Sequence, residues 1–255
     1  MKGCFYKAGK NWEEEMEMMQ GHPEVYGLSL QYWPYKASVE WVTCYIATHA
    51  ERGSRLLDLM CGPGHLLGNI AQKRPDLQLL GIDIDAENIM CGRRLYPHIS
   101  FDRGDILQWQ CPLLFNVVLC TGALHHIPYE QQEIAIIKIA KAMETNGVAI
   151  ISDCYVDPYK NETERRVAAA KLGYEYLRFA LQKEAPDDVI KETLAILGND
   201  VLRSEYKMSY EERKRVLERH FCGIRTIKTW PKGSLGRYGD YIHMCSVQAG
   251  RGRSF

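Results

Sequence analysis

A glycine-bearing turn follows an apolar segment that contains a carboxylate, and this order of residue types suits the binding of a nucleotide-like ligand. Asp58 lies in the apolar run, and Gly62 and Gly64 stand in the turn before an apolar pattern at helical spacing. Glycine lets the backbone approach a ligand closely, and the free N–H groups of the following helix can bind it. These residues predict a strand, a ligand-binding turn and a helix, although such a turn alone is a weak signal.

A second carboxylate stands at the end of the next apolar segment. Residues 77–85 have the pattern of a buried strand that runs into Asp83 and Asp85. An acidic residue at the tip of the second strand of such a unit accepts hydrogen bonds from ribose hydroxyls, and we assign this role to Asp83. The alternative for Asp83 is a helix cap, but Asp85 is better placed to cap the helix predicted over residues 86–96.

Two adjacent histidines, His125 and His126, follow a nearly continuous apolar strand predicted over residues 115–122. Histidine titrates near neutral pH, so either ring can take a proton from a hydroxyl or a phenol. The alternative is a packing role at the entry of the helix that follows Pro128. Both residues are candidate general bases.

Five apolar segments position these groups, and helical patterns separate them. The segments lie at residues 56–59, 77–83, 99–103, 115–122 and 148–153. The alternation of buried strands with helices predicts a doubly wound parallel sheet, in which ligands bind outside the carboxyl ends of the strands.

The motifs LLDLMCGPG, GIDID, RGDI, FNVVLCTGALHHI and NGVAIISD occur in this order. This order resembles that of the class I S-adenosylmethionine-dependent methyltransferases over roughly residues 35–155. The resemblance implies a Rossmann-like, doubly wound α/β fold with a seven-stranded sheet, mostly parallel with a terminal antiparallel hairpin strand. It also implies S-adenosyl-L-methionine as cofactor and S-adenosyl-L-homocysteine as product.

The resemblance assigns a part of the cofactor site to each motif. It implies that Asp58 contacts the methionine moiety, that Asp83 binds the ribose and that Asp105 accepts a hydrogen bond from the adenine amino group. The full set of implied cofactor residues is Asp58, Met60, Cys61, Gly62, Gly64, Asp83, Ile84, Gly104, Asp105, Ile106, Thr121 and Gly122. Thr121 and Gly122 would form the floor where the methyl group emerges.

Two positions depart from the family pattern, and one competing class of enzyme shares the predicted fold. Met60 stands where the family usually has glycine, and Asn116 stands where aspartate is common. Met60 either narrows the pocket or packs inward on the strand. A nicotinamide dehydrogenase would need G-x-G-x-x-G, whereas Gly68 follows the turn at a wider spacing, so methyl transfer is favoured.

Residues 1–50 precede the first strand and are predicted to form an N-terminal helical lid, with helices at residues 12–20 and 36–50. The aromatic link between them contains Tyr26, Tyr32 and Trp33. We interpret these three residues as candidate substrate contacts in a lid that excludes water. The alternative is a linker whose rings fill gaps in the core.

Four units follow from this reading: the lid, a cofactor-binding core at 51–154, a helical cap insertion at 155–208, and a final crossover helix with a terminal strand pair at 209–249. The cap contains helices predicted at residues 162–183 and 186–197. The capping box Ser209-Tyr210-Glu211-Glu212 starts the crossover helix, which ends at residue 220. Arg237, between the last two strands, is a candidate partner for a substrate anion or a solvated loop residue.

Composition limits the partners and the compartment. Lys plus Arg and Asp plus Glu are equal at 32 each, so no global basic field recruits nucleic acid. Nine cysteines without a C-x-x-C pair argue against a disulfide framework and a zinc site, and favour a reducing cytoplasm. No metal is predicted, and no segment has the length of a membrane span.

The favoured function is methyl transfer to an O or N nucleophile of a small molecule. A tRNA- or RNA-modifying enzyme of the same fold is the first alternative. Its support is two runs of basic residues, one with Arg165, Arg166, Lys171 and Arg178 and one over residues 207–219, although acidic residues are interleaved with them. A non-catalytic S-adenosylmethionine-binding protein is the second alternative, and its only support is Met60. The sequence gives no oligomeric state.

Overall fold

The computed structural model describes residues 23–111, 113–202, 205–233 and 236–247. The strands are β1 Arg55–Leu59, β2 Gln78–Asp83, β3 Ser100–Arg103, β4 Phe115–Thr121, β5 Met143–Tyr155, β6 Gly223–Trp230 and β7 Gly239–Ser246. The helices are α1 Pro23–Ser29, α2 Lys36–His49, α3 His65–Lys73, α4 Ala86–Leu95, α5 Tyr129–Ala142, α6 Glu162–Gln182, α7 Asp187–Leu202 and α8 Tyr210–His220. The helix predicted at residues 12–20 lies outside the described residues.

The strands form one seven-stranded sheet in the order β3-β2-β1-β4-β5-β7-β6. The first five strands pair in parallel, and β7 lies antiparallel to both β5 and β6. The order reverses between β1 and β4, which is the switch point where α/β sheets bind ligands. The Rossmann-like, mostly parallel seven-stranded sheet is confirmed.

Both faces of the central strands are buried, because helices cover each side of the sheet. Leu57 and Val118 contribute to the cluster that α5 and α8 cover, whereas Leu56 and Leu119 contribute to the cluster under α2 and α3. Side chains alternate between the faces of a strand, so a strand buried on both faces needs a continuous apolar run. That requirement explains the apolar segments on which the sheet prediction depends.

Several element boundaries differ from the predictions. Strand β5 begins at Met143 instead of residue 148. Residues 23–29, part of the stretch predicted as an aromatic link, form the short helix α1, with proline as its first residue. Helix α7 continues to Leu202, past the end predicted at residue 197, although Gly198 resembles a helix stop. Its last turns are retained because Asp200 is buried and forms an ion pair with Lys207.

The capped starts of two helices are confirmed. Asp85 accepts a hydrogen bond from the Glu87 N–H at 2.8 Å, and Ser209 and Glu212 form the predicted capping box. Within the described parts of the chain, no helix combines the length and apolar character that a bilayer span requires.

Candidate active site

A cavity of about 670 Å³ opens at the carboxyl ends of β1, β2 and β4. Residues of α1, of the segment between α1 and α2, and of the cap helices α6 and α7 line its other side. The sheet therefore supplies one wall of the cavity, and the lid and the cap supply the other. The cap prediction placed the insertion at this edge because β5 ends there.

The cavity brings together almost all of the predicted cofactor residues. Its lining includes Asp58, Met60, Cys61, Gly62, Asp83, Ile84, Gly104, Asp105, Ile106, Thr121 and Gly122. Gly64 is not part of the lining. It has a φ of 79°, and a Cβ atom there would lie 2.5 Å from Cζ of Phe101, so its glycine is required by packing at the start of α3.

Asp58 and Asp83 are two carboxylates on the side of the cavity where the cofactor is predicted to bind, which we call the cofactor side. Asp58 is 1% exposed, and its Oδ1 atom has no hydrogen-bond partner among the described residues. Burial and the nearby Asp83 carboxylate raise the pKa of Asp58 to about 7. Asp83 accepts hydrogen bonds from the N–H groups of Gly62 at 2.8 Å and Asp85 at 2.9 Å, which fix its carboxylate beside the glycine turn.

Met60 has a left-handed backbone conformation. Its φ is 59°, in the left-handed region that favours glycine and costs other residues roughly 1–2 kcal/mol. The side chain lines the cavity and also packs against the core. The structure is therefore compatible with both predictions for Met60, a narrower pocket and inward packing.

Asp105, the predicted partner of the adenine amino group, is held in place by two hydrogen bonds. Its Oδ1 accepts a hydrogen bond from the Leu107 N–H at 2.9 Å, and its Oδ2 accepts one from Nε2 of Gln108 at 3.2 Å. These contacts hold the carboxylate in the loop after β3, next to the buried Ile106.

His125 and His126 lie in a short 3-10 turn after β4 and both line the cavity. Nδ1 of His125 lies 2.5 Å from Oδ1 of Asp153, and Nδ1 of His126 lies 3.1 Å from Oε1 of Glu205. Burial favours protonation of Asp153, but the adjacent His125 and the Arg213 guanidinium outweigh it and keep the pKa of Asp153 below its usual value. Asp153 is therefore an ionised, buried partner of His125.

Glu205 supplies a second negative charge at the two histidines. Burial opposes its ionisation, yet the hydrogen bond with His126 and the charges of both imidazoles lower the pKa of Glu205 to about 2. Potential metal-ligand atoms of His125, His126 and Glu205 lie within 4.8 Å of one another, as do those of His125, Asp153 and Cys154. The observed contacts in both groups include hydrogen bonds and ion pairs.

The predicted substrate contacts separate into two groups. Tyr26 and Trp33 line the cavity, whereas Tyr32 and Arg237 do not. The Arg237 guanidinium instead lies 2.5 Å from Oε1 of Glu211, in an exposed ion pair. The structure thus does not bring Arg237 to the cavity.

Several cavity residues were missed because they lie far apart in the sequence. They are Tyr35, Tyr176, Glu192, Asp200, Glu205 and Lys207. Tyr176 lies in the helix predicted at residues 162–183, and its hydroxyl donates a hydrogen bond to Oδ1 of Asp240 at 2.5 Å. Burial, opposed in part by that bond, raises the pKa of Asp240 to about 8. The only sequence feature that pointed to Tyr35 was its position in the aromatic link.

Residues 56–147 match the protein family described as "Methyltransferase domain". A trans-aconitate 2-methyltransferase of Yersinia pestis (strain Pestoides F) is 33% identical over 67 residues, which cover 26% of this chain and 26% of that protein. The matched part thus spans about a quarter of that curated relative.

Two solved structures share the fold over most of the chain. The N-methyltransferase NodS from Bradyrhizobium japonicum WM9, in complex with S-adenosyl-L-homocysteine, superposes with a TM-score of 0.60 at 13% identity, covering 94% of this chain and 100% of that one. Magnesium protoporphyrin IX methyltransferase from Synechocystis PCC 6803, with bound S-adenosyl-L-homocysteine, gives 0.54 at 17% identity, covering 95% and 90%. At these identities the likeness concerns the fold.

Residues 56–147 therefore form a methyltransferase domain. The sheet order and the two superposed structures show that the chain as a whole has the fold of S-adenosylmethionine-dependent methyltransferases.

Proposed function

We propose that this protein transfers a methyl group from S-adenosyl-L-methionine to an O or N nucleophile of a small molecule held in the cavity. The observation that carries the proposal is that the cofactor-side residues Asp58 and Asp83 and the candidate base His125 line one continuous cavity. A group bound by the carboxylates and an acceptor bound near the imidazole would therefore share one enclosed space.

The residues of the cofactor side fit the proposed cofactor. The partnerless Oδ1 of Asp58 offers a buried acceptor for a hydrogen-bond donor of the cofactor, and a Cβ atom at Gly62 would meet nothing within 4 Å. Each carboxylate oxygen has two acceptor sites, so Asp83 keeps capacity for ribose hydroxyls beside its backbone contacts. The cofactor supplies the electrophilic methyl carbon, and the protein supplies orientation and exclusion of water, worth roughly 7–11 kcal/mol for well-aligned reactants.

We propose that His125 receives the proton that the acceptor loses. Its Nδ1 lies beside the ionised Asp153, so Nδ1 carries the proton when the ring is neutral, and Nε2, which lies 3.6 Å from Oε2 of Glu205, is then the atom that accepts a proton. Asp153 would then stabilise the imidazolium that forms when Nε2 accepts a proton. His126 is the second candidate, but its side chain is 52% exposed and it lacks a buried carboxylate partner like Asp153.

The basic residues of the first run on which the RNA alternative depends are neutralised locally. Arg165 and Arg166 both pair with Glu162, Lys171 pairs with Asp157, and Arg178 pairs with Glu175. These pairs support a mixed, solvated surface and therefore a small-molecule acceptor. The described cysteines are all free thiols, which supports a reducing, cytoplasmic environment.

Thermal unfolding with S-adenosyl-L-methionine, S-adenosyl-L-homocysteine and NAD tests the proposal. A ligand at 100 times its dissociation constant adds about 2.7 kcal/mol, which is roughly 5–10 °C for a chain of this size. We expect a shift with the two sulfur nucleosides and none with NAD. No shift with either nucleoside contradicts the proposal, and a shift without turnover across amine, phenol and hydroxyl acceptors favours the non-catalytic binder.

A further inference from the structure

The lid and the cap meet at two buried side-chain contacts beside the cavity. The hydroxyl of Ser29, at the end of α1, donates a hydrogen bond to Oε2 of Glu192 on α7. Nε1 of Trp33 donates one to Oγ1 of Thr193 at 2.8 Å. Glu192 and Thr193 both line the cavity, so this junction forms part of its wall.

Glu192 is a buried acid without a positive partner among the described residues. It is 3% exposed, and the hydrogen bond from Ser29 is its only polar contact in those parts of the chain. Lys207, the lysine in the cavity lining, forms its own buried ion pair with Asp200. An unpaired carboxylate is costly to bury, so Glu192 is either protonated or paired with a cation that the ligand brings.

Burial raises the pKa of Glu192, and the Ser29 hydrogen bond opposes that rise. The same low-dielectric surroundings would strengthen the attraction between an ionised Glu192 and a cation. A positively charged ligand group would therefore shift Glu192 toward its ionised form when it binds.

Aromatic rings complete the surroundings of Glu192. Tyr26 and Trp33 line the same cavity, and their ring centroids lie 6.1 Å apart at an interplanar angle of 70°. Ser29, whose hydroxyl bonds to Glu192, lies three residues after Tyr26 on α1, so the phenol and the bonded hydroxyl share one face of that helix. Aromatic faces attract ammonium groups, and a carboxylate adds a charge-assisted hydrogen bond.

We propose that Glu192, Tyr26 and Trp33 form a subsite for an ammonium group. The ammonium belongs either to the amino-acid end of the cofactor or to the methyl acceptor. This inference rests on the proposed function, because it assigns a ligand group to one region of the same cavity. It also gives the lid–cap junction a role, since one ligand group would contact both elements.

Binding of two nucleosides to wild type and Glu192→Gln, measured by titration calorimetry, distinguishes the two sources. S-adenosyl-L-homocysteine carries the amino-acid ammonium, and 5′-deoxy-5′-methylthioadenosine lacks it. If the cofactor supplies the ammonium, the substitution weakens the first ligand about 10- to 100-fold and leaves the second unchanged. Asp188→Asn, which removes an exposed carboxylate from the same helix, is the matched control and should leave both affinities unchanged.

If the acceptor supplies the ammonium, both nucleosides bind the variant as they bind wild type. Methylammonium, which has N–H donors, then binds the wild-type complex with S-adenosyl-L-homocysteine, and Glu192→Gln weakens this binding about 10-fold or more. The amide oxygen that this substitution introduces still accepts a hydrogen bond from the Ser29 hydroxyl, and thermal unfolding of the variant confirms that it is folded.

Unchanged binding of both nucleosides and of methylammonium in a folded Glu192→Gln variant overturns the ammonium subsite but leaves the proposed function intact. Failure of wild type to bind either nucleoside overturns both.

Discussion

His125 Nδ1 and Asp153 Oδ1 lie 2.5 Å apart in a buried pair, and the backbone around them is also fixed. The carbonyl oxygen of His125 accepts a hydrogen bond from the Tyr206 N–H at 2.7 Å. Nε2 of Gln132 donates hydrogen bonds to the carbonyl oxygens of Ile127 and Tyr206. The loop that bears the imidazole is thus joined to the end of the cap, and the orientation of the ring is determined before any ligand binds.

Asp153→Asn and His125→Asn should both lower kcat by roughly 100- to 10,000-fold if His125 is the base, because each removes part of the proton-accepting pair. The affinity for S-adenosyl-L-homocysteine should remain within a few-fold of wild type. Kinetics with a hydroxyl or amine acceptor and calorimetry check the two expectations. His98→Asn, at an exposed histidine, is the control. Near-wild-type turnover of His125→Asn would exclude the base role.

Asp58 should make the stability of the protein depend on pH in a defined direction. Its pKa is about 7 in the folded protein, against 3.8 for an unperturbed aspartate, so the folded state holds the proton more tightly. The stability from this protonated form is fully present below pH 3.8 and is lost as pH rises through about 7.

Asp58→Asn removes this dependence. The variant should gain on the order of 2–4 kcal/mol relative to wild type between about pH 4 and pH 8. Urea unfolding at several pH values measures the difference, and Asp102→Asn, at an exposed aspartate, is the control. Parallel stability curves for Asp58→Asn and wild type would show that Asp58 has an ordinary pKa.

Met60→Gly should tighten cofactor binding several-fold while changing the free energy of unfolding by about 1 kcal/mol or less. Glycine removes left-handed strain of roughly 1–2 kcal/mol, but it increases the entropy of the unfolded chain and removes the packing of the side chain. Urea unfolding and calorimetry with S-adenosyl-L-homocysteine check both values. Met60→Leu retains the bulk and should not improve affinity; an equal gain in both variants contradicts the explanation.

Gly62→Ala should mainly lower the affinity for the cofactor, whereas Gly64→Ala should mainly lower the free energy of unfolding. At Gly64 the added methyl group meets the Phe101 ring at 2.5 Å, so we expect a loss of about 2–5 kcal/mol of unfolding free energy from strain and overpacking. Gly62 also has a left-handed backbone, with a φ of 54°, so alanine costs roughly 1–2 kcal/mol of strain there, but its methyl group meets no protein atom within 4 Å. Because Gly62 lines the cavity, the main loss should be cofactor affinity.

Thermal unfolding with and without S-adenosyl-L-homocysteine separates the two effects. A ligand-induced shift that survives in Gly62→Ala and is lost in a stable Gly64→Ala would reverse the assignment.

The parallel sheet was predictable because burial on both faces imposes a local apolar signal on every central strand. Asp85 and Ser209 were predictable as caps for a similar reason, since a capping side chain bonds to N–H groups two or three residues away. Helix α7 was predicted too short because the contact that extends it, Asp200 with Lys207, crosses a loop. The low helix propensity of Gly198 carries no information about that ion pair.

The cofactor side could be predicted from the sequence and the acceptor side could not. Asp58 lies near the end of β1 and Asp83 is the last residue of β2, in motifs with a fixed order, so their positions in the cavity come from local sequence. Glu192 and Tyr176 lie on helices whose patterns indicate only a buried face. Their position beside Tyr26 and Trp33 depends on how the cap docks, which involves contacts between distant segments.

The placement of β7 between β5 and β6 has a consequence for synthesis on the ribosome. The cap, α8 and β6 all emerge before β7, so the outer edge of β5 has no native strand partner during that interval. An unpaired edge that is long and apolar is prone to pair with other chains. A nascent chain whose synthesis stops before Gly239 would therefore expose an aggregation-prone edge of β5. Chaperones that cover such edges should then determine the yield of the folded protein.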